Sequence, residues 1–205
     1  MVVPTLAGRR ALVLGYGAIG SRCAKVLNAL GMKVSAVRRT GSREGAWDGF
    51  ATVHGPDALE LLLPDTTALL ICLPGTQATT GLLGRRQVRS LPKGAVLVNV
   101  GRGSIVDEDA LFEALSDGHL GGAGLDVWYN YPMLPGQGGL GAGDSPNLCP
   151  ASRPFWELPN VVMSPHRGQS SDTKARDRVE ELLGMLRALR ETGELPNRYD
   201  IGQGY

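Results

Sequence analysis

Short apolar runs alternate with helix-period stretches along most of this 205-residue chain. Ala11-Leu12-Val13-Leu14 is short and uninterrupted, as suits a strand buried on both faces. Apolar positions then recur at helical spacing from Ile19 to Leu30. Lys33 to Val37 reads as a second strand, Asp57 to Leu63 as a short helix, and Ala68 to Leu73 as a buried strand. Ala95 to Val100 is another strand, with a helix over Asp107 to Ser116 behind it. Ala123 to Val127 and Val161 to Met163 complete the strands, and an amphipathic helix runs from about Ser171 to Arg190. Asp107 and the pair Ser171-Asp172 supply cap chemistry where helices open.

Alternation of this kind predicts an α/β fold, a doubly wound parallel sheet of the Rossmann type. The division it implies is one dinucleotide-binding domain over residues 1–170 and a C-terminal helix and tail over 171–205. Residues 130–153 break the pattern. They are rich in Gly and Pro and carry no period, so they read as a long irregular loop, functional or mobile, with packing at a subunit interface as the plainer alternative.

Composition narrows the partners. Hydrophobic residues make up 42% of the chain, enough for an ordinary core, and the net charge of +1 gives no reason to expect nucleic acid. No charged segment followed by an apolar stretch opens the chain, and no apolar run is long enough to cross a bilayer. Cys23, Cys72 and Cys149 lack metal-type spacing, so no metal site is expected. Three sparse cysteines fit a reducing compartment such as the cytoplasm.

Gly15-Tyr16-Gly17-Ala18-Ile19-Gly20 follows a predicted strand and opens a predicted helix. In that context a Gly-x-Gly-x-x-Gly holds a dinucleotide. The first glycine permits the turn, the second admits the pyrophosphate to the backbone, and the third lets helix and strand approach. The helix N-terminus, with Ala18 and Ile19 in its first turn, offers free N–H groups to phosphate. The end of the second strand reads Val37-Arg38-Arg39-Thr40, without the carboxylate that would hold the ribose hydroxyls of NAD. Arg38 and Arg39 suit a 2′-phosphate, which favours NADP(H). The other reading keeps them as solvated loop arginines with NAD(H) bound through its diol.

Two more residues carry chemistry. Arg102 sits in Asn99-Val100-Gly101-Arg102-Gly103, a glycine-rich turn after a buried strand. His166 sits in Ser164-Pro165-His166-Arg167-Gly168. A guanidinium can clamp and polarise a carboxylate-bearing carbonyl compound, and an imidazole can move a proton. His54 and His119 stand in no motif and read as structural or surface residues.

Four segments in order then resemble the nucleotide-binding domain of the D-isomer-specific 2-hydroxyacid dehydrogenases. They are Gly15 to Gly20; Leu73-Pro74-Gly75-Thr76-Gln77-Ala78-Thr79; Val98-Asn99-Val100-Gly101-Arg102-Gly103 through Asp107; and Gly124-Leu125-Asp126-Val127 with Ser164-Pro165-His166. The resemblance implies hydride transfer between a nicotinamide and C2 of a 2-oxo or 2-hydroxy acid. It implies that Arg102 orients the substrate and that His166 exchanges the proton. Asp126 would accept from the carboxamide, while Pro74, Val100 and Gly168 line the nicotinamide, with Leu73, Thr79 and Gly101 beside the cofactor. It also implies a homodimer built through this domain, with the 130–153 loop near the interface.

Two departures qualify the resemblance. The family pairs its histidine with a glutamate five residues after the aspartate of the Asp-Val motif, and here that place holds Tyr131. Tyrosine makes a hydrogen bond but does not raise a histidine pKa as a carboxylate does, so His166 is expected to be less basic unless Glu157 or Asp144 folds in. The family also carries a substrate domain ahead of the nucleotide fold, and this sequence shows only a short lead-in. Three readings follow. One is an NAD(P)-dependent oxidoreductase, impaired or completed by a separate substrate-domain protein. Another is a non-catalytic dinucleotide-binding and dimerisation module, a sensor or scaffold. The third is a piece of a longer dehydrogenase.

Overall fold

Alternate residues of the first strand, β1 (Arg10–Leu14), serve two cores. Leu12 and Leu14 join Leu69, Ile71, Leu97 and Leu111 in the larger cluster; Ala11 and Val13 join Ala24, Val34, Ala36 and Val53 in the smaller. A strand sends successive side chains to opposite faces, so continuous apolar runs are what a sheet covered on both sides requires. The computed structural model describes residues 5–42, 44–131, 149–168 and 172–196.

The remaining strands are β2 (Lys33–Ser42), β3 (Ala46–Trp47), β4 (Thr52–His54), β5 (Ala68–Ile71), β6 (Ala95–Asn99), β7 (Leu120–Leu125) and β8 (Val161–Met163). The helices are α1 (Ala18–Ala29), α2 (Leu59–Leu62), α3 (Arg85–Ser90), α4 (Glu108–Ser116) and α5 (Lys174–Thr192). Sheet order is β3-β4-β2-β1-β5-β6-β7-β8, parallel throughout except for the antiparallel β3–β4 pair. This is the doubly wound α/β fold. The chain runs outward from β1 through β2 to β4, then returns to the other side of β1 with β5. Such a reversal opens a crevice beyond the carboxyl ends of β1 and β5, where ligands of these sheets bind.

Several elements differ from the sequence reading for local reasons. β2 does not stop at Val37 but continues to Ser42, bulging against β4, which pairs His54 with both Val37 and Ser42. Gly41 and Gly55 permit this: a Cβ on Gly41 would lie 2.2 Å from His54 O, and one on Gly55 2.5 Å from Gly41 O. The helix expected over Asp57 to Leu63 is broken into a 3-10 turn (Pro56–Ala58), α2 and a second 3-10 turn (Leu63–Asp65), the last with Pro64 in its first turn. β7 starts earlier, at Leu120, and ends at Leu125, after which the Asp126 N–H donates to Asn99 O at 3.1 Å. β3, β4 and α3 have no counterpart in the sequence reading.

Two compact units divide at Pro165 and His166, where the sequence pattern suggested a boundary at residue 170. The first contains the sheet. In the second, α5 begins at Lys174 after an N-terminal flank at Thr173, and Gly193 closes it in the left-handed conformation at φ 74°. Ser171, expected to help cap this helix, and the tail 197–205 lie outside the described residues. The helix start at Asp107 is as read: its Oδ1 accepts from Ala110 N at 2.8 Å.

Residues 132–148 of the irregular loop, Asp144 among them, lie outside the described residues. Its described ends are held firmly. Pro150 O accepts from the N–H groups of Tyr129 and Asn130, and Glu108 accepts from those of Ser152 and Arg153. One sheet face is covered by α1 over β1 and β2, while further along Val96 and Val162 are exposed, the latter by 74%.

Candidate functional site

Three turns meet at the carboxyl ends of β1, β5 and β6. The first is the glycine loop. Gly15 has φ 94°, and a Cβ there would lie 2.8 Å from the backbone of Cys72 and Leu73. Gly15 N–H donates to Val37 O at 2.9 Å, and Cys72 N–H to Leu14 O at 2.7 Å, so the loop is stitched to both neighbouring strands. Gly20 is closer still: a Cβ would meet Gly15 O at 1.9 Å. Gly17, by contrast, has no atom within 4 Å of its Cβ direction. It precedes α1, whose start carries no side-chain cap and no acidic residue in its first turn. An open backbone surface, unclaimed N–H groups and the positive end of a helix dipole suit a pyrophosphate. The observed cradle therefore fits a dinucleotide.

Cys72, beneath this loop, has its thiol pushed up to about 12 by burial, with Cys23 on α1 adding to the shift through its charge and a hydrogen bond. Both cysteines are free thiols. Cys72 forms part of the floor, and a thiol so raised is not a nucleophile near neutral pH.

The second turn follows β5. Thr79 Oγ1 donates to Pro74 O at 2.7 Å and accepts from Thr76 N at 2.9 Å. Thr79 thus shapes the loop that presents Leu73 and Pro74. The third turn follows β6 and is built by Asn99, which is 2% exposed. Its Oδ1 accepts from Gly101 N at 3.0 Å and its Nδ2 donates to Arg102 O at 2.9 Å. Val100 N–H donates to Ile71 O at 3.1 Å, carrying the turn onto β5.

The second and third turns touch. A Cβ on Gly101 would lie 2.6 Å from Leu73 O, and one on Gly75 would lie 2.8 Å from Arg102 Cγ. Arg102 therefore lays its stem over Gly75. Its Nη1 donates to Gly101 O at 2.7 Å, and among the described residues it forms no ion pair. On the other side Gly103 abuts the main chain of Trp128, with a Cβ distance of 2.2 Å to Trp128 O. Asn99 was not among the residues singled out from sequence, although it stands in the quoted motif. Its signal was a buried amide two and three residues before the backbone groups it bridges. Asn99→Ala is expected to cost about 1–3 kcal/mol by leaving two backbone groups without partners. Chemical denaturation checks this; an unchanged midpoint contradicts the clamp.

Asp126 follows β7 next to the Asn99 turn through the bond already given. Tyr131 is partly exposed, and its hydroxyl accepts from Trp128 N at 3.0 Å. Trp128 Nε1 donates to Ser164 O at 2.9 Å, fixing the end of β8. Arg38, Arg39 and Thr40 lie exposed on the β2 extension. Gly15, Gly17, Ala18, Ile19 and Gly20, the β2 extension, Leu73, Pro74, Thr79, Val100, Gly101, Arg102, Asp126 and Tyr131 all belong to the first unit. His166 and Gly168 belong to the second. His166 has φ 56°, a left-handed backbone and, among the described residues, the one non-glycine in that region. Such conformations are uncommon outside glycine and concentrate at functional positions.

A parallel sheet with a phosphate cradle at its switch point defines a dinucleotide-binding α/β protein. Within that class the chain belongs to the D-isomer specific 2-hydroxyacid dehydrogenases, matching their NAD binding domain over residues 1–168. It is 33% identical over 183 residues to a glycerate dehydrogenase of Methylorubrum extorquens, covering 89% of this chain and 50% of that one. A D-isomer specific 2-hydroxyacid dehydrogenase from Xanthobacter autotrophicus Py2, solved with NADPH and MES, superposes with a TM-score of 0.79 at 31% identity, over 100% of this chain and 76% of that one. An NADPH-dependent glyoxylate/hydroxypyruvate reductase from Sinorhizobium meliloti, solved with NADP and sulfate, gives 0.80 at 26% identity, over 100% and 60%. The chain spans about half the length of the curated relatives it matches. No helix among the described residues is long and apolar enough to cross a membrane.

Proposed function

We propose that this chain binds NADP(H) in preference to NAD(H) and takes part in hydride transfer between the nicotinamide and a small 2-oxo or 2-hydroxy acid. The observation that carries the reading is Arg102, held by the Asn99 clamp and laid over Gly75 beside the Leu73 turn. A guanidinium fixed there can take a substrate carboxylate as a charge-assisted pair and polarise the adjacent carbonyl. The bound cofactor would supply the hydride. His166 would exchange the proton, and Asp126, Pro74, Val100 and Gly168 would orient the ring. A substrate domain would come from a separate protein or from further chain, and the working form would be a cytoplasmic homodimer.

The NADP(H) preference is supported by Arg38 and Arg39 on the exposed β2 extension and by the cofactors named for the Xanthobacter and Sinorhizobium relatives. Titration with NADPH and NADH side by side tests it. Arg38→Ala is expected to weaken NADPH about tenfold and NADH little, the scale of a hydrogen bond to a charged group. Tighter NADH binding by the unaltered chain would sink the preference. Catalysis is tested by following NAD(P)H absorbance with glyoxylate, hydroxypyruvate, pyruvate and phenylpyruvate. Turnover lost in Arg102→Ala with cofactor affinity kept supports the enzyme. A second reading, a dinucleotide-binding and dimerisation module without turnover, is favoured by Tyr131, whose hydroxyl serves Trp128 N. Tight cofactor binding with no turnover on any of the four acids supports it. A monomeric mass by light scattering at micromolar concentration refutes the dimer.

A further inference from the structure

Tyr16 occupies a position in the glycine loop at which the dinucleotide motif specifies no residue. Its hydroxyl donates to Asp48 Oδ2 at 2.5 Å, across 32 residues of sequence, while its ring packs on the smaller core. Asp48 is otherwise occupied. Its Oδ1 accepts from Phe50 N and Ala51 N, each at 3.0 Å, and its own N–H donates to Ala51 O at 3.1 Å, which closes the turn between β3 and β4. At the end of β4 opposite that turn, the hairpin meets the β2 extension. Gly55 N–H donates to Ser42 O at 2.6 Å where Gly41 and Gly55 touch. One side-chain bridge therefore links the tip of the phosphate loop to the turn of a hairpin whose strand β4 pairs with β2 and, at its other end, with the extension that carries Arg38, Arg39 and Thr40. At their base the two segments are already joined by Gly15 N–H to Val37 O.

The protonation states suit a fixed strut. Burial, then the hydrogen bond to Asp48 and its charge, push the Tyr16 phenol up to about 12, with Arg38 opposing. Partial burial raises Asp48, but the hydrogen bonds from Tyr16, Ala51 and Phe50 outweigh it and leave the carboxyl below its ordinary value. Around neutral pH the pair is a phenol donating to a carboxylate.

We propose that Tyr16 and Asp48 are positioning residues which set the spacing between the pyrophosphate loop and the ribose-side arginines, and so set how strongly the chain discriminates the cofactor 2′-phosphate. The inference rests on the reading that Arg38 to Thr40 face the adenosine ribose. A dinucleotide held at both points is bound tightly only if their separation matches it, whereas one held at the pyrophosphate alone is indifferent to that separation.

Tyr16→Phe removes one hydroxyl and keeps the packed ring. Dissociation constants for NADPH and NADH are measured on the full chain by fluorescence, with the thermal midpoint alongside. In Tyr16→Phe the ratio of the two constants is expected to move toward one by about fivefold, the scale of one hydrogen bond. Asp48→Ala should do the same. Asp48→Asn, whose amide can keep both the turn and a bond to Tyr16, should stay nearer the unaltered ratio. A ratio unchanged in Tyr16→Phe overturns the proposal, whether both affinities fall together or neither moves. Should Asp48→Ala fail to fold, Tyr16→Phe decides alone. If the unaltered chain favours NADH, the cofactor preference above fails, and a shift in the Tyr16→Phe ratio still supports the strut.

Discussion

Gly20→Ala is expected to abolish dinucleotide binding and to destabilise the chain. Alanine is ordinarily better than glycine inside a helix by about 1 kcal/mol, so propensity alone argues for stabilisation. Sterics win here. The new methyl would lie 1.9 Å from Gly15 O, 3.0 Å from Gly15 C and 3.1 Å from Val13 Cγ1. Gly15 cannot retreat, since it already backs onto Cys72 and Leu73 in a left-handed conformation. Relief requires α1 to swing away from β1, which opens the cradle and costs at least about 1–3 kcal/mol as overpacking. Gly17→Ala is the control. Its methyl meets no atom within 4 Å, so stability should hold while the phosphate approach is blocked. Thermal melts with NADPH titrations check both. A Gly20→Ala chain that keeps its melting point and binds cofactor contradicts the close helix–strand contact.

Phe155→Ala is expected to carry the largest loss of stability, about 3–5 kcal/mol, as for a large aromatic removed from a core that cannot collapse. Phe155 is 0% exposed. It meets Phe112 of α4 edge-on at 5.4 Å between centroids and stacks with Tyr129 at 6.2 Å. Its place just after the irregular loop makes it the plug that seats the returning chain, helped by the Glu108 bonds to Ser152 and Arg153. Urea denaturation measures the loss. A cost under about 1 kcal/mol would mean that the cavity refills, and that the loop end is not fixed by this ring.

What could be read from sequence was set by burial. β1 stands out because a parallel strand covered on both faces carries an uninterrupted apolar run, and β5 and β6 carry similar runs although one face of each is partly open, with Val96 exposed. The glycine loop and the Arg102 turn stand out because close backbone contacts leave room for nothing but glycine at Gly15, Gly20 and Gly101. α3 (Arg-Arg-Gln-Val-Arg-Ser) leaves no helical period in the sequence because only Val88 of its six residues is buried. β4 leaves no strand signal because it is three residues long and includes His54. The β2 extension reads as loop because Arg38, Arg39 and Thr40 are polar and exposed, and its pairing depends on Gly41 meeting Gly55. The Asn99 clamp was legible as a motif but not as a mechanism, since which backbone groups an amide bridges depends on how the turn folds. No local pattern announces the Tyr16–Asp48 bridge, because its partners meet only once β3 and β4 are in place. The same holds for Tyr131: its position after Asp126 was countable, its bond to Trp128 N was not.

The position of β1 between β2 and β5 also has a temporal consequence. The glycine loop is contiguous in sequence, but its floor is Cys72 and Leu73, and the Arg102 turn rests on the same segment. Neither turn has its final shape until strands distant along the chain have paired. Parallel pairings between remote segments are slow to form, because the loop entropy is lost before the contacts accumulate. Cofactor that binds only the completed crevice should therefore leave the refolding rate almost unchanged and slow unfolding instead. A chain emerging from the ribosome would acquire its affinity abruptly, when β5 and β6 close against β1, and not gradually as the motif is synthesised.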